Sequence, residues 1–130
     1  MKLIIGGAHH GKLDYALEHG TRLRGHRVAS VYQCTETEWN IDFTADIINS
    51  LHKAVLAQMR NGVDPLDYME NHAGLLKSKT IICDDISCGV VPINGEMRQW
   101  REAVGRVLVQ LSREADEVVR VFYGLGTKIK

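Results

Sequence analysis

Residues 2–13 read KLIIGGAHHGKL, an apolar run followed by a glycine-rich turn. The apolar run that ends at Gly6 predicts a short buried strand. Beyond Gly11, apolar residues recur at helical spacing as far as Gly25, which predicts a helix. The helical stripe consists of Leu13, Ala16, Leu17, Gly20 and Leu23. A glycine-rich turn that joins a strand to a helix is typical of α/β proteins.

The remainder of the chain repeats this alternation of β-type and helix-type segments. We predict strands over residues 27–32, 80–83 and 118–123, and a polar loop over residues 33–42. A helix that begins near Asp46 and ends at Gly62 is indicated by apolar residues at helical spacing. These residues are Ile47, Ile48, Leu51, Val55 and Met59. After the last strand, residues 124–127 are expected to turn the chain into a basic tail.

Capping residues predict the starts of two more helices. Asp64 and Pro65 suit the N-cap and the first position of a short helix. Asn94 can cap a long helix whose apolar stripe includes Trp100. The order of strands and helices predicts an α/β three-layer sandwich with a mostly parallel sheet of about four or five strands. Residues 1–130 form a single domain in this interpretation, and the open edges of so short a sheet favour self-association into a homo-oligomer.

Composition narrows the function classes. Sixteen basic residues balance sixteen acidic ones, and a formal charge of zero disfavours nucleic-acid or membrane-surface binding. No apolar run approaches the roughly 20 residues that span a bilayer. The three cysteines, Cys34, Cys83 and Cys88, lack a C-x-x-C spacing and fit a reducing compartment. We therefore expect a cytoplasmic protein.

The glycine-rich turn also carries a chemical motif. Its sequence fits G-x-x-x-x-G-K, and it follows a predicted strand and opens a predicted helix, as a phosphate-binding loop does. Backbone N–H groups of such a loop surround a phosphate, and Lys12 would reach the outer phosphates as a point charge. The predicted nucleotide-binding residues are Gly6, Gly7, Ala8, His9, His10, Gly11, Lys12 and Leu13. The alternative is an ordinary β–α turn with Lys12 on the surface.

Leu13 departs from the motif, which places a Ser or Thr hydroxyl on Mg²⁺ at this position. Leucine offers no oxygen to the metal. We expect this change to impair phosphoryl transfer more than phosphate binding, because transfer depends on exact positioning. His9 and His10 can donate to a phosphate or accept a transferred group, or they can be solvent-facing loop residues.

A pair of carboxylates, Asp84 and Asp85, follows the predicted strand over residues 80–83. Ligands of open α/β sheets bind at the carboxyl edge, where this pair would lie. The pair is a candidate Mg²⁺ site, and Asp85, with Lys12, is a candidate catalytic residue. Helix capping or a surface turn is the alternative interpretation.

Several segments resemble the adenosylcobinamide kinase/adenosylcobinamide-phosphate guanylyltransferase family. Residues 84–92, DDISCGVVP, are similar to that family's N-E-V-G-x-G-I-V-P, and residues 6–13 are similar to its G-G-A-R-S-G-K-S loop. Residues 105–107 match a Gly-Arg-Val stretch, and residues 115–118 and 124–130 resemble A-D-E-V and G-x-x-x-K-I-K. In this chain Asp84 stands for the family's Asn, Asp85 for its Glu and Leu13 for its Ser.

The resemblance implies a P-loop fold, binding of GTP or ATP, and a place in cobalamin biosynthesis. Family members phosphorylate a corrinoid amino-alcohol and then attach GMP through a histidine intermediate. They are longer between the second strand and Thr80, and neither His52 nor His72 lies in the family's histidine motif. Two hypotheses follow: a transferase of the kinase/nucleotidyltransferase type, or a nucleotide- or corrinoid-binding module without turnover. A plain subunit-interaction domain is a third.

Overall fold

The computed structural model of the chain describes residues 1–20, 28–86 and 94–130. Six strands form one sheet: β1 Lys2–Gly6, β2 Val31–Gln33, β3 Ile47–Asn49, β4 Thr80–Asp84, β5 Glu117–Phe122 and β6 Leu125–Lys128. Helix α1 spans Lys12–Tyr15 and continues as a π-helical segment, Ala16–Gly20. The other helices are α2 Leu51–Arg60, α3 Pro65–Asn71 and α4 Gly95–Glu114, with a short 3-10 turn, Ala73–Leu75, after α3.

The strand order across the sheet is β2-β3-β4-β1-β5-β6. The pairs among β2, β3, β4, β1 and β5 are parallel, and β6 alone pairs antiparallel, with β5. Strand β1 is therefore central, with Ile4 opposite Ile82 of β4 on one side and Val119 of β5 on the other. The carboxyl ends of five strands meet at one edge of the sheet, which is where ligands of α/β proteins bind.

The core lies on both faces of the sheet. Helices α2, α3 and α4 cover one face, where Leu3, Ile81 and Val118 pack against residues such as Trp100 and Leu111. Helix α1 covers the other, where Ala16 packs with Ile4, Ile82 and Val121. This three-layer arrangement confirms the predicted α/β class.

The segment predicted as one helix from Asp46 to Gly62 contains a strand. Ile47 and Ile48 belong to β3 and are fully buried, and α2 begins only after Ser50, whose φ of 60° breaks the helical path. A strand buried on both faces is a continuous apolar run, and such a run followed by an amphipathic helix imitates one long helix. Asp46 accepts hydrogen bonds from the backbone N–H and hydroxyl of Ser30, at 2.9 and 3.0 Å, instead of starting a helix.

Strand β6 was also unexpected, because residues 124–127 were predicted to lead into a tail. With β3 and β6 the sheet has six strands, more than the predicted four or five. Strand β2 starts at Val31, later than predicted, and β5 ends at Phe122. Strands β2 and β6 are the outer strands of the described sheet, and self-association through such edges remains a prediction.

The predicted helix starts at Asp64 and Asn94 are confirmed. The Asp64 carboxylate accepts from the N–H groups of Leu66 and Asp67, with Pro65 at the first helical position. The Asn94 side-chain oxygen accepts from Glu96 N–H at 2.8 Å. The predicted first helix is present as far as Gly20, while Leu23 and Gly25 lie outside the described residues. Within the described ranges no helix combines the length and apolar character needed to cross a bilayer.

Gly6 ends β1 at a point where the backbone of β5 comes very close. A Cβ added to Gly6 would lie 2.4 Å from the Val121 carbonyl oxygen, a backbone atom that cannot rotate away. The φ of Gly6 is +155°, which L side chains rarely adopt. The packing of β1 against β5 therefore requires glycine at the base of the loop.

We predict that Gly6→Ala lowers the free energy of unfolding by about 2 kcal/mol, because the added methyl must push β1 and β5 apart. Gly105→Ala is the matched control, since nothing lies within 4 Å of a Cβ at this helical position. That control should raise stability by about 1 kcal/mol through helix propensity. Urea unfolding of both variants measures the difference, and equal stability of Gly6→Ala and the parent protein would contradict the close approach.

Candidate functional site

The loop between β1 and α1 is held in a defined bend. His9 and Gly11 have positive φ values of 61° and 81°, so the chain turns sharply before α1. Gly11 is the N-cap residue, and its carbonyl accepts from Tyr15 N–H at 3.0 Å. At the other side of the loop, His10 O accepts from Gly124 N–H at 2.8 Å. The loop is thus fixed to its own helix and to the turn after β5.

Lys12 points back into this loop instead of into solvent. Its side chain is only 7% exposed, and Nζ donates to Gly7 O at 2.6 Å. The same ammonium lies 2.6 Å from Oδ1 of Asp84, the last residue of β4. Lys12 is therefore not on the surface, as the alternative interpretation required, while phosphate binding by the loop stays a prediction.

His52 holds Asp84 from the other side. The Asp84 backbone N–H donates to His52 Nδ1 at 3.1 Å, and His52 Nε2 lies 3.4 Å from Asp84 Oδ2. Because Nδ1 accepts, the proton of the neutral ring belongs on Nε2, which faces the carboxylate. Burial holds the pKa of His52 below its ordinary value of 6.5, although the Asp84 carboxylate opposes that effect. Trp100, predicted as a core residue, is buried and donates from Nε1 to His52 O at 2.7 Å.

The structure brings Lys12 together with Asp84 and not with Asp85. Successive side chains of a strand point to opposite faces, and Asp85 follows directly after the last residue of β4. Its Oδ2 lies 3.4 Å from Arg120 of β5, and its N–H donates to Gly6 O at 2.9 Å. Of the two predicted carboxylates, Asp84 is therefore the one that contacts Lys12, and the catalytic role of Asp85 stays a prediction.

The remaining predicted loop residues differ in their surroundings. Ala8 and His9 are exposed, whereas the His10 ring packs against Phe122 and Tyr123 with ring centroids 5.1 and 4.6 Å apart. Leu13 is partly buried and packs against the core on the α1 face. Its side chain thus serves packing, where the motif would have a hydroxyl.

The predicted Mg²⁺ site rests on one carboxylate beside the loop. In the described ranges no three His, Cys, Asp or Glu side chains cluster closely enough to hold a metal ion. Magnesium, however, keeps several waters and often takes only one or two protein carboxylates plus substrate phosphates. The donor set fits this type of binding through Asp84, while Asp85 faces Arg120.

The contact of His52 with Asp84 could not be deduced from the sequence. His52 lies in the second position of α2, and reading residues 46–62 as one helix hid the strand end that precedes it. Had Ile47 and Ile48 been assigned to a strand, His52 would have been placed at the carboxyl edge. The boundary between the end of β3 and the start of α2 is the feature that would have identified His52 as a site residue.

Two of the three thiols lie within the described residues and are buried: Cys34 and Cys83. Burial raises the pKa of Cys34 to about 12 and also raises the pKa of Cys83. A thiol that resists ionisation is a poor nucleophile and a poor metal ligand. Cys88 lies outside the described residues.

Two surface grooves, of about 510 and 770 Å³, lie between α3 and α4. Leu66, Glu102 and Arg106 line both of them. The grooves lie on the helix layer that covers the sheet, and neither is lined by residues of the loop or by Asp84. We therefore treat the loop edge, where the buried charges meet, as the candidate functional site.

Comparison with known proteins gives one distant similarity. No protein-family model matches the chain. Over 50 residues the chain is 40% identical to the bifunctional adenosylcobalamin biosynthesis protein CobU of Salmonella typhimurium. The matched stretch covers 38% of this chain and 28% of that protein. This match supports a distant relationship to CobU and agrees with the resemblance seen in the motifs.

The protonation of His52 predicts how stability depends on pH. Its pKa is lowered on folding, so the folded state keeps the ring neutral while the unfolded chain takes up a proton near its ordinary value of 6.5. The stability from neutral His52 is complete above that value and is lost as pH falls toward the folded pKa. We expect the urea concentration at the unfolding midpoint to be lower at about pH 5.5 than at about pH 7.5. Protonation of the ring removes the lone pair on Nδ1 that accepts the hydrogen bond from Asp84 N–H.

His52→Gln should flatten that part of the pH profile. His19→Gln is the control, because His19 is more than half exposed and should leave the profile unchanged. If His52→Gln and the parent protein show the same dependence of the urea midpoint on pH, folding does not hold the His52 ring neutral.

Proposed function

We propose that the loop from Gly6 to Leu13 binds the phosphates of GTP or ATP, and that the protein transfers phosphate to a corrinoid amino-alcohol in cobalamin biosynthesis. The observation that carries the proposal is the position of Lys12, which is buried in the loop between Gly7 O and Asp84. A buried ammonium beside main-chain amides attracts an anion at the point where α/β sheets bind their ligands. The similarity to CobU, an adenosylcobalamin biosynthesis protein, supports the substrate class.

The residues have separate roles in this proposal. Backbone N–H groups of the loop hold the phosphates, and Lys12 neutralises charge that develops on the outer phosphate during transfer. Asp84 orients Lys12, and its carboxylate would bind Mg²⁺ beside the loop by exchanging its contact with Lys12 for the metal. When bound, Mg²⁺ neutralises charge on the phosphates. His52 positions Asp84 through two contacts and keeps its carboxylate turned toward Lys12.

Binding without turnover is the second candidate function, and Leu13 favours it. Leu13 contributes packing where a hydroxyl would assist the metal, and the Asp84 carboxylate is already engaged by Lys12 and His52. A protein of this kind would hold the nucleotide or a corrinoid without the positioning that transfer requires. The two functions differ in their response to magnesium.

Calorimetric titration with GTP and ATP, with and without Mg²⁺, tests the proposal, together with an assay for phosphate release and transfer to an adenosylcobinamide-type acceptor. Turnover with magnesium-strengthened binding supports the transferase. Binding that ignores magnesium, without product, supports the binding module. The absence of nucleotide binding would contradict the transferase and a module that holds the nucleotide, and would leave only a module that holds a corrinoid.

Lys12→Ala should weaken nucleotide binding at least about 10-fold, because it removes a charge-assisted contact to phosphate. Lys77→Ala is the matched control, since it removes the same charge from an exposed residue before β4, at the opposite edge of the sheet. Equal affinities of the two variants would place the nucleotide elsewhere.

Substitutions of Asp84 and Asp85 should have different effects in the same assays. Asp84→Asn is expected to keep nucleotide binding but to lose the magnesium effect and about 100-fold or more of any turnover. Asp85→Asn should retain both, because Asp85 faces Arg120. The reverse order would support the catalytic role predicted for Asp85 from the sequence. Thermal unfolding of each variant checks that the fold is intact.

A further inference from the structure

From the turn between β5 and β6 we infer a nucleobase platform: the rings of Phe122 and Tyr123, which contact the ring of His10, stack on the base of the nucleotide whose phosphates the loop holds. This inference rests on the proposed function and names how the rest of the ligand is bound. Neither Phe122 nor Tyr123 was among the site residues predicted from the sequence. We call the three rings the aromatic rim.

The aromatic rim lies directly against the phosphate loop. Gly124 N–H donates to His10 O at 2.8 Å, and a Cβ added to Gly11 would lie 3.6 Å from Gly124 Cα. The ring centroids of His10 and Tyr123 are 4.6 Å apart, and those of Phe122 and Tyr123 are 4.5 Å apart. Loop and turn are thus in contact, so a ligand held by its phosphates in the loop would extend past these rings.

The Phe122 and Tyr123 side chains are exposed although they are large and mostly apolar. Phe122 is 59% and Tyr123 is 71% exposed. Aromatic side chains gain most from burial, so an exposed pair at a ligand edge leaves stacking surface available. Base–aromatic stacking tolerates any base, because every base has a π-face, and loss of the stacked ring typically weakens binding about 10-fold or more.

The backbone of the turn gives an independent reason for the assignment. Phe122 pairs with Leu125, so Tyr123 and Gly124 are the two central residues of a tight hairpin. Their φ values, 46° and 80°, are both positive, as in a type I′ turn. Such turns prefer Asn, Asp or Gly at the first central position, and a bulky residue there is strained. Strained residues of this kind cluster at functional sites.

The sequence thus places tyrosine where asparagine would make the more stable hairpin. A purely structural turn would gain from Tyr123→Asn, whereas a base platform would lose its ring. A base platform therefore predicts that Tyr123→Asn raises stability and weakens nucleotide binding. A purely structural turn predicts the gain in stability without the loss of binding.

The experiment compares affinities for GTP, ATP and inorganic tripolyphosphate in the same magnesium buffer, for the parent protein and two variants. We expect each nucleotide to bind the parent about 10-fold more tightly than tripolyphosphate. Tyr123→Asn should bring this ratio close to one for both nucleotides, leave tripolyphosphate affinity unchanged and give a Tm at or above that of the parent. Tyr123→Phe keeps the ring and should keep the ratio.

The possible failures are distinguishable. If the parent binds tripolyphosphate as tightly as the nucleotides, or if Tyr123→Asn leaves the ratio unchanged, the platform is absent while the phosphate site stands. A lower Tm for Tyr123→Asn would show that the ring supports the hairpin, which also overturns the inference. If none of the three ligands binds, the proposed function fails and the platform fails with it.

Discussion

The buried ion pair between Lys12 and Asp84 is the interaction on which the site depends. An ammonium that is 7% exposed needs compensation, and here the Asp84 carboxylate and Gly7 O provide it at 2.6 Å each. Removing one partner of a fully buried ion pair typically costs about 3–5 kcal/mol, and we expect a smaller cost here because the Asp84 side chain is 22% exposed. An anion that enters the loop offers the ammonium new partners at the same place. The ion pair therefore holds the loop in its bend and also places an ammonium where an anionic ligand can bind.

Strand order creates this pair. Strand β1 lies between β4 and β5, and the parallel register puts Gly6 opposite Asp84. The glycine at that position lets Val121 approach from β5, so the loop leaves the sheet between two close neighbours. The same arrangement carries β5 past the loop and brings the hairpin at Tyr123 against His10. Three distant segments of the chain thus converge on one sheet edge.

Local signals made much of this architecture predictable. The glycine-rich turn, the caps at Asp64 and Asn94 and the apolar run before Asp84 each depend on neighbouring residues, and each was placed correctly. What could not be predicted depends on tertiary pairing. Strand β3 is short and buried on both faces, so its apolar pattern merged with that of α2.

The site shows the same division between local and tertiary information. The sequence indicated that Lys12 and the two carboxylates lie at one edge, but strand alternation decides which carboxylate meets the ammonium, and that depends on where β4 ends. The contacts of His52 and Tyr123 come from segments far away in the chain, 40 and 111 positions beyond Lys12. Periodicity carries no information on such contacts.

Backbone amide chemical shifts during titration with GTP and Mg²⁺ show whether phosphate enters the loop beside Lys12. If phosphate enters the loop and draws Lys12 away from Asp84, the largest changes will occur at the N–H groups of residues 7–13, with a further change at Gly124. The chemical shifts of amides at the opposite sheet edge, such as that of Lys77, should not change. Unchanged chemical shifts of the loop amides, with changes confined to the grooves between α3 and α4, would contradict phosphate binding in the loop.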